Sequence, residues 1–323
     1  MNRFSRFISC AILAATSIIS NAAEWPSQPV KIILPYPPGG ASDVTARLLG
    51  NKLSQAWGQP VVIENRPGGN GIVANQLFKQ SAADGYTILM ANLGPNGINP
   101  AVYAKLPYDT LKDFEPVILT TLVPLVIVTA TDSPYKTLND LIAAAKDKSK
   151  KLSFGSAGNG SGSHLAGELL FSTIGVPMLH VPYRGDAPAL TDVMGAQIAV
   201  ALPTAIAATS QVQGGKLRAL AVTSKKRLPS MPDIPTVEEA LGLPDFEAVS
   251  WGGFMVPAGT QGEVVGKINR DINKALQEPD VAEKLKAQGA QIVGGSSESF
   301  KTFVHAEVAK WKSVATRANI RLD

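Results

Sequence analysis

Two glycine-rich turns bearing hydroxyls lie about 120 residues apart. The first is Pro35-Tyr36-Pro37-Pro38-Gly39-Gly40-Ala41-Ser42-Asp43, and the second runs from Phe154 through Ser156, Gly160, Ser161 and Ser163 to His164. Each follows a short apolar run and precedes a helical pattern. A strand that breaks at glycines into a helix offers free backbone N–H groups and the positive end of a helix dipole, which suits a small anion. Two such turns, one per lobe, would form a cleft for a carboxylate. In the first, Gly39-Gly40 lets backbone approach a ligand, and Ser42 or Asp43 is the expected N-cap. The second has Walker-like glycine spacing but Ser161 where lysine is required, and its glycines miss the dinucleotide fingerprint. Its serines read equally as a carboxylate nest or as an ordinary helix cap.

Other polar groups fall at predicted strand ends. Arg184, beside Gly185 and Asp186, carries the planar donor fork that pairs with carboxylates. Asp186 could hold Arg184 or accept a ligand amine. Asn92 and Asn96 flank Gly94, and Pro203-Thr204 could supply a hydroxyl. The three histidines, His164, His180 and His305, are far apart, and no metal-ligand spacing, nucleophile elbow or paired carboxylates occur. No catalytic residue, metal or cofactor is therefore expected.

These groups need a scaffold. Alternating strand and helix patterns over 30–91 and 137–223 imply mostly parallel sheets covered by helices. Two long extended runs, at about 119–128 and 246–256, would carry the chain between lobes and back. The expected architecture is α/β and two-lobed, with residues 23–122 and 250–323 in lobe 1 and 123–249 in lobe 2. Arg3 and Arg6 precede an apolar run from Phe7 to Ile19 and a small-residue cleavage site ending at Ala22, so residues 1–22 read as an export signal. The single cysteine, Cys10, lies inside it. The mature chain then has no disulfide and must be stabilised by packing. A hydrophobic content of 45% excludes disorder, and a net charge of +4 without a basic stripe argues against nucleic acid.

Several strings in order resemble the solute-binding receptors of tripartite tricarboxylate transporters, the Bug family. They include Pro35 to Asp43, Gly58-Gln59-Pro60-Val61-Val62-Ile63-Glu64-Asn65-Arg66-Pro67-Gly68, Asp84-Gly85-Tyr86-Thr87, Lys105 to Asp109, Val181 to Gly185, Gly215 to Ser224 and Trp251-x-Gly253 to Thr260. The resemblance spans nearly the whole mature chain. It implies a periplasmic, type II "Venus flytrap" receptor. The ligand it implies is a di- or tricarboxylate, an acidic amino acid or an aromatic acid. Its partner would be a membrane permease, and the receptor would be a monomer. Carried over by motif, the ligand site comprises Tyr36, Gly40, Ala41, Ser42, Asp43 and Asn92 with Ser156, Gly160, Ser161, Ser163 and His164. Arg184, Gly185 and Asp186, with Pro203 and Thr204, would meet the variable end. A ligand sensor with a signalling partner, and a secreted enzyme acting on organic acids, are the alternatives.

Overall fold

The computed structural model describes residues 25–322 except 148, 177 and 288. The predicted export signal lies outside the described residues. Within them, no helix is long and apolar enough to cross a membrane.

Two sheets form. The first contains β1 (Val30–Leu34), β2 (Val61–Asn65), β3 (Thr87–Asn92), β4 (Phe114–Pro124), β10 (Val249–Pro257) and β11 (Gln291–Ile292), in the order β11-β4-β10-β3-β1-β2. The second contains β5 (Val126–Ala130), β6 (Ser153–Ser156), β7 (Leu179–Pro182), β8 (Val200–Ala201) and β9 (Leu217–Val222), in the order β7-β6-β8-β5-β9. The sheets are not mostly parallel. β2, β1 and β3 run parallel, but β10 joins β3 antiparallel, and so do β4 on β10 and β11 on β4. In the second sheet, β7 and β8 flank β6 in parallel, whereas β5 pairs antiparallel with β8 and β9. Most of these reversals involve the strands on either side of the crossings. A strand arriving from the other lobe enters its sheet from the opposite end, a direction that local periodicity does not encode.

The first crossing falls within the longest β-branched run. Pro124 ends β4, Leu125 turns, and β5 begins in the second sheet. The return passes from β9 to β10. Thr223, fully buried, ties the two passages together. Its N–H donates to Leu125 O at 3.0 Å, its Oγ1 accepts from Leu125 N and donates to Ala248 O at 2.6 Å, and its O accepts from Ala248 N. These are the hydrogen bonds that a pair of crossing strands must satisfy when it leaves one sheet for another.

Three helices start at the turns where site residues were expected. α1 (Ala41–Trp57) follows β1, α5 (Gly162–Thr173) follows β6, and α7 (Ala205–Gln213) follows β8. α1 places Ala46, Leu49 and Leu53 on one stripe against the first sheet. The short α6 (Asp186–Met194) leads toward β8, and the long C-terminal α11 (Ser297–Arg317) packs Phe300, Val304 and Trp311 against the first lobe. Gly253, in the centre of β10, has a structural reason to be glycine. A Cβ there would stand 2.6 Å from the Ile118 carbonyl oxygen and 2.5 Å from the Phe300 ring.

Candidate functional site

A cavity of about 310 Å³ opens between the lobes. On the first-lobe side its wall is Gly39, Gly40, Ala41 and Ser42 at the start of α1, with Thr45 one turn on. Met90 and Asn92 of β3, and Thr121 and Val123 of β4, form the floor with Ser250, Trp251 and Gly252 of β10. The second lobe contributes Thr204, Ile206 and Ala207 at the start of α7, and Ala290 completes the rim. Among the described residues, no lysine, arginine, histidine, aspartate or glutamate lies in this wall.

The start of α1 is open. Gly40 is the N-cap, with no side chain accepting from the first turn. The first bonded amide of the helix is Val44 N–H, which donates to Gly40 O at 3.0 Å. The N–H groups of Ala41, Ser42 and Asp43 precede it and have no intrahelical acceptor. α1 thus starts at Ala41, and neither Ser42 nor Asp43 is its N-cap. The physical reason is that Gly40 adopts the extended cap conformation itself, with φ −79° and ψ 169°.

Asp43 has another role. It is buried, 3% exposed. Its carboxylate accepts Arg47 Nε at 2.9 Å, Asn65 Nδ2 at 2.9 Å and the Gly39 N–H at 3.0 Å. The Arg47 guanidinium, chiefly, holds the Asp43 carboxyl down at about 2. These bonds clamp the glycine turn to the helix and to β2. The folded value lies below the unfolded one near 3.9, so the stabilisation is complete above pH 4 and is lost as pH falls through about 2. Asp43→Asn is expected to lose about 2 kcal/mol at pH 7. Urea unfolding from pH 2 to 5 checks this: the gap between wild type and variant should close toward pH 2, and a gap independent of pH would refute it.

The second glycine turn is closed upon itself. Ser161 caps α5, its Oγ accepting from His164 N–H at 3.2 Å. Ala157 N–H donates to Ser163 Oγ, Gly158 N–H to Ser156 Oγ, and Gly160 N–H to His164 Nδ1 at 3.2 Å. The turn's own side chains therefore hold much of its donor set, and none of residues 156–164 lines the cavity. Gly160 instead faces the C-terminal segment, where a Cβ would lie 2.6 Å from Leu322. The histidines also differ from their dispersed appearance in the sequence. The His164 and His180 rings stack with centroids 3.7 Å apart, and His180 Nε2 lies 2.6 Å from Ser156 Oγ. The fold brings them together because the β7 edge strand lies beside β6, next to the turn.

Other expected residues are placed as follows. Asn92 lines the cavity and donates from Nδ2 to Ser42 Oγ at 3.0 Å and to Trp251 O at 3.4 Å, while its Oδ1 has no partner. Thr204 lines the cavity, but Pro203 is buried behind it and accepts from Val126 N–H. Asp186 does not pair with Arg184. Its Oδ2 accepts the Thr204 N–H at 3.0 Å and the Thr204 hydroxyl at 2.8 Å, and burial pushes its carboxyl up. Arg184 is exposed, and Gly185 precedes α6 with φ 106°. Tyr36 Oη approaches the loop at Gly94, and burial raises its phenol. Neither Arg184, Gly185 nor Tyr36 is in the cavity wall. Asn96 is fully buried and bonds Asn75 and the Asn92 N–H.

Motif reading missed most of the floor, including Thr121, Val123, Ser250, Trp251 and Gly252. The available signal was position: these residues lie in the two extended runs expected to cross between lobes. Trp251 is held from behind. Its indole Nε1 donates to Glu307 Oε2 at 3.0 Å, and Trp311 Nε1 donates to the same oxygen at 2.9 Å.

Comparison with known proteins agrees with this architecture. The model of the tripartite tricarboxylate transporter family receptor matches residues 45–320. The chain belongs to that receptor family. It is 36% identical to protein BugT of Bordetella pertussis over 98% of this chain and 96% of that one. Among solved structures, Rpa4515 of R. palustris with adipate superposes with a TM-score of 0.80 at 35% identity, covering 92% of this chain and 99% of that one. MatC from Rhodopseudomonas palustris with bound malate gives 0.77 at 31% identity, covering 90% and 99%. The periplasmic binding protein BugD gives 0.76 at 33% identity, covering 92% and 99%. The chain is therefore a solute-binding receptor of this family, with its two-lobed α/β fold.

Proposed function

We propose that this receptor captures a small organic carboxylate in the inter-lobe cavity and delivers it to a membrane permease of the tripartite tricarboxylate type, after export to the periplasm. The observation that carries the reading is the open start of α1 facing an otherwise uncharged cavity between the lobes. Free amides and the positive helix end bind an anion without a lysine or arginine. Burial against Met90, Val123, Ile206 and Trp251 then lowers the local dielectric and strengthens each bond. The family relationship and the adipate and malate held by its structural relatives support a carboxylate ligand. Closure of the lobes about the crossing strands would seal the cavity, and the permease would distinguish the closed form by shape. The membership of the chain in a receptor family supports binding as the role of this wall.

A thermal-shift screen of the purified receptor tests this. The panel holds citrate, dicarboxylates, acidic amino acids and aromatic acids, with sugars and phosphate as controls. At 100 times its dissociation constant a ligand adds about 2.7 kcal/mol and moves the melting point visibly. One acid class should raise it. A receptor stabilised by sugars or phosphate and by no acid would overturn the reading.

A further inference from the structure

We infer that the end of the second lobe opposite the cavity docks on an anionic lipid surface, with Lys146, Lys150 and Lys151 on the lipid phosphates and Leu179 in the headgroup layer. This contact is separate from the cavity and holds whatever the cavity binds.

Its place follows from the sheet. β6 and β7 run parallel and start side by side, with Ser153 paired to Leu179. β8 runs the same way beside β6, and Thr204 in the cavity wall follows its far end. The starts of β6 and β7 therefore lie at the end of the sheet away from the cavity. A groove of about 550 Å³ opens there, between the last turn of α4 (Leu138–Lys146), the loop after it and the chain leading from α5 into β7. Lys146, Lys150 and Lys151 line it together with Leu152, Val176 and Leu179.

The charge at this end is unbalanced. Four lysines, at 146, 148, 150 and 151, fall within six residues of sequence. Lys146 faces the negative end of its own helix, but Lys150 and Lys151 lie beyond it. All three groove lysines are exposed, and among the described residues none forms an ion pair. Asp147, the acid of the loop, is turned onto Ser149, whose N–H donates to it at 3.0 Å and whose hydroxyl donates at 2.7 Å. Among the described residues no carboxylate lines the groove.

The apolar part is next to the charge. Leu179 is 66% exposed, more than any other large apolar side chain among the described residues, and it sits on β7, an edge strand of the second sheet. A protein partner would call for a different cation. Protein interfaces favour arginine, whose planar fork fixes direction, and are depleted in lysine. Every basic group in this groove is a lysine, a point charge on a flexible stem. Such a stem lies along an apolar layer while its ammonium reaches a mobile phosphate. Each lysine at an anionic bilayer strengthens binding about fivefold, and insertion of Leu179 adds apolar burial. The contact would concentrate the receptor at the membrane that holds its proposed permease and leave the cavity free at the other end.

Co-sedimentation of the purified receptor with lipid vesicles tests this. One set is phosphatidylcholine alone, and the other contains about one third phosphatidylglycerol, each at about 0.05 M and 0.5 M salt. At low salt the anionic vesicles should bind at least tenfold more tightly than the neutral ones, and high salt should remove most of the difference. Lys150→Glu with Lys151→Glu should weaken this binding at least tenfold, and Leu179→Ser at least threefold. Lys225→Glu with Lys226→Glu makes the same change in net charge beyond the cavity end of β9, and should leave binding within twofold. All five side chains are exposed, and unchanged melting points would show that the variants fold. Equal binding to both vesicle types, or binding to neither, overturns the proposal. Capture by permease-bearing membranes without capture by lipid alone also overturns it, and assigns the lysines to an acidic protein surface. An equal loss in the Lys225 and Lys226 variant overturns the placement at this groove, and an unaffected Leu179→Ser overturns the role of the apolar side chain. None of these outcomes alters the thermal-shift result, so the carboxylate reading is tested apart from this one.

Discussion

The receptor should lose about 3 kcal/mol of stability between pH 7.5 and pH 5, through His164 and His180 together. The two rings stack at 3.7 Å within the second lobe, with Phe154 packed on His180 and Glu168 Oε1 3.8 Å from His164 Nε2. Burial, with a contribution from the neighbouring His180, pushes His164 down to about 3, and burial pushes His180 down to about 4. His164 Nδ1 accepts the Gly160 N–H, so the neutral ring carries its proton on Nε2. Protonating Nδ1 replaces this acceptor with a donor facing another donor. Both folded values lie below the unfolded 6.5, so the native state disfavours the proton that the unfolded chain accepts. Stability is therefore complete above pH 6.5 and is lost as pH falls toward the folded values. At pH 5 the solution is about 1.5 units below the unfolded imidazole pKa, worth at most about 2 kcal/mol per ring and less for the half-buried His180, where solvent screens the effect. Urea midpoints at pH 7.5 and 5.0 measure the loss, and His180→Phe should remove roughly half of it. Equal midpoints at the two pH values would show that the pair does not resist protonation.

Replacing Glu307 by leucine should destabilise the protein by about 3–5 kcal/mol and weaken ligand binding as well. Glu307 is 5% exposed, and its Oε2 accepts both the Trp251 and the Trp311 indole N–H, while Lys310 pairs with Oε1. Leucine leaves two buried N–H groups unsatisfied, each costing about 1–3 kcal/mol. Trp251 is also cavity floor, so losing its anchor loosens the surface against which the proposed ligand would pack. Glu307→Gln keeps an acceptor oxygen for both indoles and should lose less than half as much. Denaturant unfolding of the two variants separates the effects. A Gln variant as unstable as the Leu variant would mean that the charge toward Lys310, rather than the indole bonds, is what Glu307 provides.

The elements were legible in the sequence where local chemistry decides them. Thr137 and Asp140 form a reciprocal capping box at α4 (Leu138–Lys146), as the residue types predict, and Ser161 caps α5. The apolar stripe of α1 follows helical spacing, and Gly58 ends that helix with φ 63°. Each depends on residues within about four positions, so sequence suffices. The first crossing was also legible, because a β-branched run too long for one ordinary strand must continue elsewhere, as β4 and β5 do.

The sequence by itself determined the alternation of strands and helices, the first crossing and the glycine turn that opens α1. Only the tertiary structure decided which turn faces the inter-lobe cavity. Two similar glycine–serine strings differ because Ser156, Ser163 and His164 consume the donors of the second, whereas no side chain caps the first. That depends on rotamers and on a neighbouring strand, neither of which spacing encodes. The same holds for Asp186, which found Thr204 rather than Arg184 because β8 delivers Thr204 beside the start of α6. The stacking of His164 on His180 and the hold of Glu307 on Trp251 are likewise contacts between residues far apart in the chain. Strand order sets them, and strand order is fixed by packing the whole core.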